Sequence, residues 1–426
     1  MVYGLSTMVS NDINNTIDHL FRHEAGKMVA VLTRLFGFPN IDQAEDIVQD
    51  TLLKALETWK YGKMPENPRA WLYLTARNKV IDVIRRQQVK HNIDTDISYL
   101  LKSEYTLVPG VQEMFTENEI KDSQLRMMFA CCHPSFSKEA QITLILNTLC
   151  GLSTHEIADA FLSNEETIQK RLYRTKEKLR KEKISLDYPG VDAMPERLEA
   201  VLKTLYLLFN EGYNSSHPEK LIREDLCEEA MRLAILLTEN PKTDLPYVHA
   251  LLALMCFHAS RFSARLDDKG FIILLKDQNR KQWNQFLISK GNAYLSNAAS
   301  GDTMHEFHIE AAIASIHANA ISYENTDWKM ILHLYNLLLE MNFNPVVALN
   351  RCLVLGETEG YEVAIRELEK MKELDENCHY NTSLGEMYFK SGNKEEAKKF
   401  FTKALSLTSS HAEKTLINDK ISRCVM

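Results

Sequence analysis

Residues 151–182, GLSTHEIADAFLSNEETIQKRLYRTKEKLRKE, hold the side chains best suited to reading nucleic acid. Ser153 with Glu156, and Ser163 with Glu166, are capping pairs that predict two short helices joined by a tight turn. Ile157, Ala158, Phe161, Ile168, Leu172 and Leu179 supply the packing between them, as in a helix-turn-helix. The exposed face of the second helix then offers Glu166, Gln169, Lys170, Tyr173 and Arg174, with Arg171 at its flank. These are the donors and acceptors that match base edges in a major groove, and the basic run to Lys183 suits phosphates. An ordinary helical hairpin is the plainer alternative.

Two earlier segments carry related chemistry. In NPRAWLYLTARNKVIDVIRRQ, Asn67 caps and Pro68 opens a helix whose Leu72, Tyr73, Ala76, Val80, Val83 and Ile84 share an apolar face. Trp71, Thr75, Asn78, Lys79, Asp82, Arg85 and Arg86 project on the other side. An outward indole among cations and amides suits an unstacked base and its phosphates, each stacked base being worth roughly 1–3 kcal/mol. A Trp71 folded back onto a neighbouring helix is the competing reading. In IDQAEDIVQDTLLKALETW, Ala44, Val48, Leu52, Ala55, Leu56 and Trp59 form an apolar stripe expected in the core. The other side carries Asp46, Gln49, Asp50 and Glu57 with Leu53 among them, readable as an acidic docking face or as a solvated face with one stray leucine.

These segments need a scaffold, and the composition says what kind. At about 150 residues per domain, 426 residues suggest about three domains. With 15 Gly, 11 Pro and apolar spacings of three and four almost throughout, the chain reads as all-α. The net charge of −8 at first argues against nucleic acid, but it is unevenly placed. Residues 1–183 hold 24 basic and 24 acidic side chains, so the whole excess lies beyond them. Residues 77–90 carry five basic residues against one acid, and residues 170–183 carry eight against two. The eight cysteines form no CxxC pair, which points to buried, reduced thiols in a cytoplasmic chain. The longest apolar run, Ala250 to Phe257, is far short of a membrane span, and no secretory signal precedes the first helix. No nucleophile–base pair stands at a recognisable spacing, so no enzyme, cofactor or metal site is expected.

The predicted organisation is a helical block to residue 90, a linker over 91–120 marked by mixed polarity and Pro109-Gly110, a second block over 121–185, and a helical array over 190–426. Near its end, Leu384, Gly385, Tyr388, Ala397, Phe401 and Ala404 match the tetratricopeptide spacing. Ala364 and Leu368 mark a weaker copy before it, so repeats are expected near 345–411. Two segments of the array, DDKGFIILLKDQNRKQW (267–283) and HEFHIEAAIASIHANA (305–320), have no assignable chemistry. His305 and His308, with Glu306 and Glu310, share a spacing suited to a metal, but packing histidines are the simpler expectation.

Taken together, AEDIVQDTLLKALETW, the Trp71 helix and the helix-turn-helix resemble, in order, the polymerase-docking, minus-ten and minus-thirty-five segments of extracytoplasmic-function RNA polymerase sigma factors. The rest resembles the subgroup with a long tetratricopeptide-like extension. The resemblance implies a region 2 domain over 11–90, a region 4 domain over 121–185 and an extension over 190–426. It implies that Asp46, Gln49, Asp50 and Leu53 meet core RNA polymerase. Trp71, Arg77, Asn78, Lys79, Asp82, Arg85 and Arg86 would then meet the proximal promoter element, and Glu165, Glu166, Gln169, Lys170, Arg171 and Arg174 the upstream one. Core polymerase and promoter DNA are the implied partners, with a regulatory protein on the extension and no membrane. Members of this family begin close to the first region 2 helix, so Met8 is an alternative start to Met1. The competing function is a one-component helix-turn-helix regulator with a tetratricopeptide sensor, which needs neither the acidic docking face nor the Trp71 helix.

Overall fold

The computed structural model describes residues 3–61, 64–88, 104–161, 163–214 and 222–425, with side chains from residue 20 onward except 60–61, 87–88, 104–106 and 159–160. It is all-α: among the described residues there are twenty α-helices and no strand, only an isolated bridge between Leu266 and Ile272. No helix among them is long and apolar enough to cross a membrane. The chain forms two compact units, Met1–Thr204 and Leu205–Met426.

The first unit contains α1 (Tyr3–Phe36), α2 (Ile41–Tyr61), α3 (Pro68–Gln88), α4 (Glu104–Glu113), α5 (Glu117–Cys131), α6 (Lys138–Thr148), α7 (Thr154–Ala160), α8 (Glu165–Glu182) and the start of α9 (Met194–Tyr213). Its core is the second half of α1. Met28 through Thr33 are all buried in succession, followed by Leu35 and Phe36. A helix buried on every side lies inside its domain rather than on the surface, and here α2, α3, α5 and α6 all pack around it. Gly26 lets α1 reach the end of α6, since a Cβ there would run into the Leu149 carbonyl. Gly151, at φ +66°, turns the chain away from α6 beside the Arg22 carbonyl.

The two N-terminal blocks lie within one compact unit, and the division between the units falls inside α9. Residues 91–103 of the expected linker lie outside the described residues, but 104–113 and most of 114–120 are not linker. Leu107, Val111 and Met114 are buried at helical spacing, and Pro109 and Gly110 lie within α4. The apolar period overrides the turn signal of the Pro-Gly pair.

The second unit continues through α10 (Glu224–Thr238), α11 (Pro246–Ala259), α12 (Phe262–Arg265), α13 (Gln285–Ala298), α14 (Glu306–Asn319), α15 (Trp328–Met341), α16 (Pro345–Thr358), α17 (Tyr361–Leu368), α18 (Cys378–Lys390), α19 (Lys394–Leu407) and α20 (His411–Val425). The pairs α16–α17 and α18–α19 coincide with the two predicted repeats. Leu384, Ala397, Phe401 and Ala404 are buried, and Tyr388 stacks on Phe400 at 5.6 Å. Gly385 passes so near Phe401 that a Cβ would stand 2.8 Å from its ring. The small residues of the signature are there for close helix approach. All eight cysteines are free thiols, seven buried and Cys378 half-buried.

Gly26→Ala forces backbone apart at the centre of the first unit and is expected to cost about 1–3 kcal/mol, the range of overpacked cores. Urea unfolding of the first unit's transition measures it; an unchanged midpoint would mean α1 and α6 separate without penalty.

Candidate nucleic-acid interface

α2 buries Ala44, Ile47, Val48, Thr51, Ala55 and Trp59 against the core. Leu56, expected among them, is 46% exposed, and Leu52 is only half-buried. At 3.6 residues per turn Leu56 stands about 80° round the helix from Val48, past the edge of the buried arc. It therefore joins Leu53, 58% exposed, in an apolar strip bordered by the exposed Asp46, Gln49, Asp50 and Glu57. The face thus exposes two leucines where one was expected.

α3 begins as its sequence requires, with the Asn67 Oδ1 accepting from the Ala70 backbone N–H at 2.9 Å. Leu72, Ala76, Val80, Ile81 and Ile84 are buried, Tyr73 and Val83 half-buried. The exposed face carries Asn78, Asp82, Arg85 and Arg86, with Leu74 at its edge. Trp71 is half-buried: its ring lies edge-on to Trp59 at 5.5 Å, and Trp59 in turn lies 5.5 Å from Phe21. The fold-back reading of this indole therefore describes it better than the outward one. Thr75, expected outside, is buried. Arg77 is half-buried, with its Nε lacking a hydrogen-bond partner. Lys79 reaches across to Asp50 of α2 at 3.1 Å, and Arg85 lies 3.9 Å from Asp82.

A network that sequence reasoning missed ties α3 to α1. The Tyr73 hydroxyl donates to buried Glu24, and Arg69 lies 3.4 Å from the same carboxylate. Burial, then the Glu24 charge, pushes the Tyr73 hydroxyl well above the ordinary phenol range. No local pattern signals this, because the partners are 49 positions apart.

The helix-turn-helix is formed by α7 and α8. Ser153 and Glu156 make the expected capping box. The second cap differs: Asn164, not Ser163, accepts from the Thr167 backbone N–H at 2.7 Å. Asn is as good a cap as Ser, and using it starts α8 at Glu165. Glu165, Glu166, Gln169, Lys170, Tyr173 and Arg174 are exposed. Lys170 pairs with Glu166 at 2.6 Å, and Gln169 donates to Glu165 at 3.2 Å. Arg171 is held inward, donating to the Thr143 hydroxyl of α6 at 3.2 Å.

The basic run after Arg174 is partly committed to the fold. Lys176 lies 2.6 Å from Glu45 and 3.2 Å from Asp42, and Arg180 also pairs with Asp42. Lys178 donates to the Ser135 carbonyl. Lys181 and Lys183 remain exposed. In the second unit, His305 and His308 cap α14: the His308 Nδ1 accepts from the His305 backbone N–H at 3.0 Å, and the His305 Nδ1 from that of Phe307 at 3.2 Å.

Residues 20–89, covering the second half of α1 with α2 and α3, match sigma-70 region 2; residues 379–411 match the tetratricopeptide repeat, and residues 197–299 match a family of unknown function. The ECF RNA polymerase sigma factor SigL of Mycobacterium tuberculosis is 31% identical over 159 residues, 36% of this chain and 81% of that protein. The chain belongs to the extracytoplasmic-function sigma factors. RNA polymerase sigma factor SigV of Bacillus subtilis is 28% identical over 136 residues, 32% of this chain and 72% of that protein. An uncharacterized protein of Rhizobium meliloti, R00370, is 33% identical over 381 residues, 89% of each chain, so this sigma factor shares its extension with at least one relative.

Within this sigma factor, Lys170 and Arg171 are neighbours with different duties. Arg171→Ala removes a bond between α8 and α6 and is expected to lower stability by about 1 kcal/mol. Lys170→Ala removes only an exposed i,i+4 pair and should stay within about 0.5 kcal/mol of the parent. Thermal unfolding of the two variants separates them, and equal losses would contradict the assignment.

Proposed function

We propose that this sigma factor binds core RNA polymerase, directs it to promoters carrying two recognised elements and helps open the proximal one. The observation that carries the reading is the strip of Leu53 and Leu56 on an otherwise acidic helix face. Two neighbouring exposed leucines amid acidic side chains support a face that another protein covers. Asp46, Gln49 and Asp50 border the strip and supply the polar rim of that contact. Region 2 is assigned to residues 11–90 and region 4 to 121–185, within one folded unit, with the extension following.

In this reading Asn78, Asp82, Arg85 and Arg86 face the proximal element, with Lys79 and Arg77 at its margin. Trp71 acts from its half-buried position, through whatever part of its ring Trp59 leaves open. At the upstream element Glu165, Glu166, Gln169, Lys170 and Arg174 read or position, while Arg171 acts by holding α8 on α6. The extension is a protein-binding or intramolecular regulatory module and takes no part in covalent chemistry. The competing regulator reading leaves the leucine strip and region 2 without a task.

Leu53→Glu puts an unpaired carboxylate into the docking face and is expected to weaken core binding about tenfold or more, with helical circular dichroism unchanged. Unchanged affinity would remove the docking assignment. In transcription reconstituted with core polymerase, Lys170→Ala and Arg174→Ala should reduce initiation by amounts that depend on the upstream sequence, a good base contact being worth about 1–3 kcal/mol of discrimination. Equal losses on every promoter would restrict both residues to phosphate contacts.

A further inference from the structure

The segments 267–283 and 305–320 have no part in the function above, and in the second unit they meet. The Arg280 Nη1 donates to the His317 carbonyl at 2.7 Å. Lys276 from the first segment and Glu310, Ile313 and His317 from the second line one cavity of about 590 Å³. That volume lies in the range of small-molecule sites. Its lining mixes apolar surface, including Phe257, Leu338 and Val354, with an unusual number of charged groups for an interior space.

Most of those charges cancel. Glu357 pairs with Lys390 at 2.7 Å, and Glu386 pairs with Lys420. Burial lifts Glu310 to about 7, beside the Tyr206 hydroxyl, so it carries only part of a charge at neutral pH. What does not cancel is Arg261, with Arg265 and Arg280 near it but outside the lining. Arg261, on the cavity wall, lies 5.1 Å from the centre of the Trp283 ring, and Arg280 lies 4.0 Å from the same centre. Arg265 stacks on Tyr213 at 3.9 Å. Their hydrogen bonds go to neutral oxygens: the Gln278 side chain and the carbonyls of His317 and Tyr213. Among the described residues no carboxylate lies within ion-pair distance of any of the three; exposed Glu324 acts on Arg280 from farther away, and the Arg280 Nη2 is buried without a hydrogen-bond partner. Burial and these guanidinium groups push His258 and His317, both lining the cavity, down to about 3. Positive charge gathered in a sheltered place without a close ion pair is costly, and a bound anion relieves that cost.

We propose that this cavity binds a small organic anion, with its carboxylate or phosphate head at Arg261 and its apolar body against Phe257, Ile313 and Leu338. Aromatic rings hold the guanidinium groups in place, leaving the Arg261 fork as the head-group contact. Lys276, exposed at the rim, adds a second and weaker attraction. The proposal concerns the extension alone and stands or falls separately from the promoter role.

The test is titration of the purified full chain with phenylacetate, octanoate and phenyl phosphate, each beside a neutral control: phenylacetamide, octanamide and benzyl alcohol. Tryptophan fluorescence and thermal unfolding are the readouts. At least one anion is expected to bind saturably with Kd below about 1 mM and to raise the unfolding midpoint, while its control does neither. Preference between the carboxylates and phenyl phosphate then identifies the head group. Arg261→Gln should weaken the bound anion about tenfold or more, with Arg261→Lys retaining part of the affinity. Lys276→Gln, at an exposed position that leaves folding intact, should weaken it about two- to threefold. The proposal is overturned if none of the three anions binds, if the neutral controls bind equally well, or if both Gln variants keep the parent affinity.

Discussion

The burial of α1 on every side is the constraint from which the N-terminal unit follows. A helix with Met28 to Thr33 all inside cannot serve one neighbouring layer only. It must be enclosed, and the chain encloses it with α2 and α3 on one hand and α5 and α6 on the other. The helices proposed to meet polymerase and the proximal element pack directly on this buried helix, and α8 is tied to it through α6. Gly26 sets how closely the enclosing layers approach, and Glu24, two residues earlier, anchors Tyr73 and Arg69 of α3.

α8 shows how one helix is divided between structure and recognition. Its first half presents Glu166, Gln169, Lys170 and Arg174 outward, while Arg171 points back to α6. Its second half is bound to the first turn of α2 through Lys176 and Arg180, where Asp42 and Glu45 supply the opposite charge. Anionic residues at a helix start and cations toward a helix end suit both macrodipoles, so the local electrostatics of the two helices and their contact agree.

The type and order of the elements were legible because they rest on period and capping: Asn67-Pro68, Ser153 with Glu156, and the six repeat positions each behave as local rules require. Two failures were local, the second cap on Asn164 rather than Ser163 and the Pro109-Gly110 turn signal inside α4; the others were non-local. Leu56 looked buried by periodicity, but which edge of an apolar arc is covered depends on the neighbouring helices. Trp71 looked exposed because its own helix does not bury it; Trp59, from α2, does. Lys176, Lys178 and Arg180 counted toward a basic patch because composition does not show a carboxylate 131 or 138 positions away, or a carbonyl 43 positions away. The arginine cluster beside the extension's cavity was hidden for the same reason, since Arg261, Arg265 and Arg280 are ordinary charged residues until the fold gathers them and keeps carboxylates beyond ion-pair distance.

The bridge from Asp50 to Lys79 joins the face proposed for polymerase to the face proposed for DNA. A cation brought to Asp50 by a protein partner competes with Lys79 for the same carboxylate, and a Lys79 released there is available to a phosphate. Where both surfaces bind as proposed and the partner brings such a cation, this contact links them, occupancy of either favouring the other by equal amounts in both directions. With Asp50 largely open to solvent, the coupling through this contact is bounded at about 1 kcal/mol. It is a bias on assembly order, too small to act as a switch.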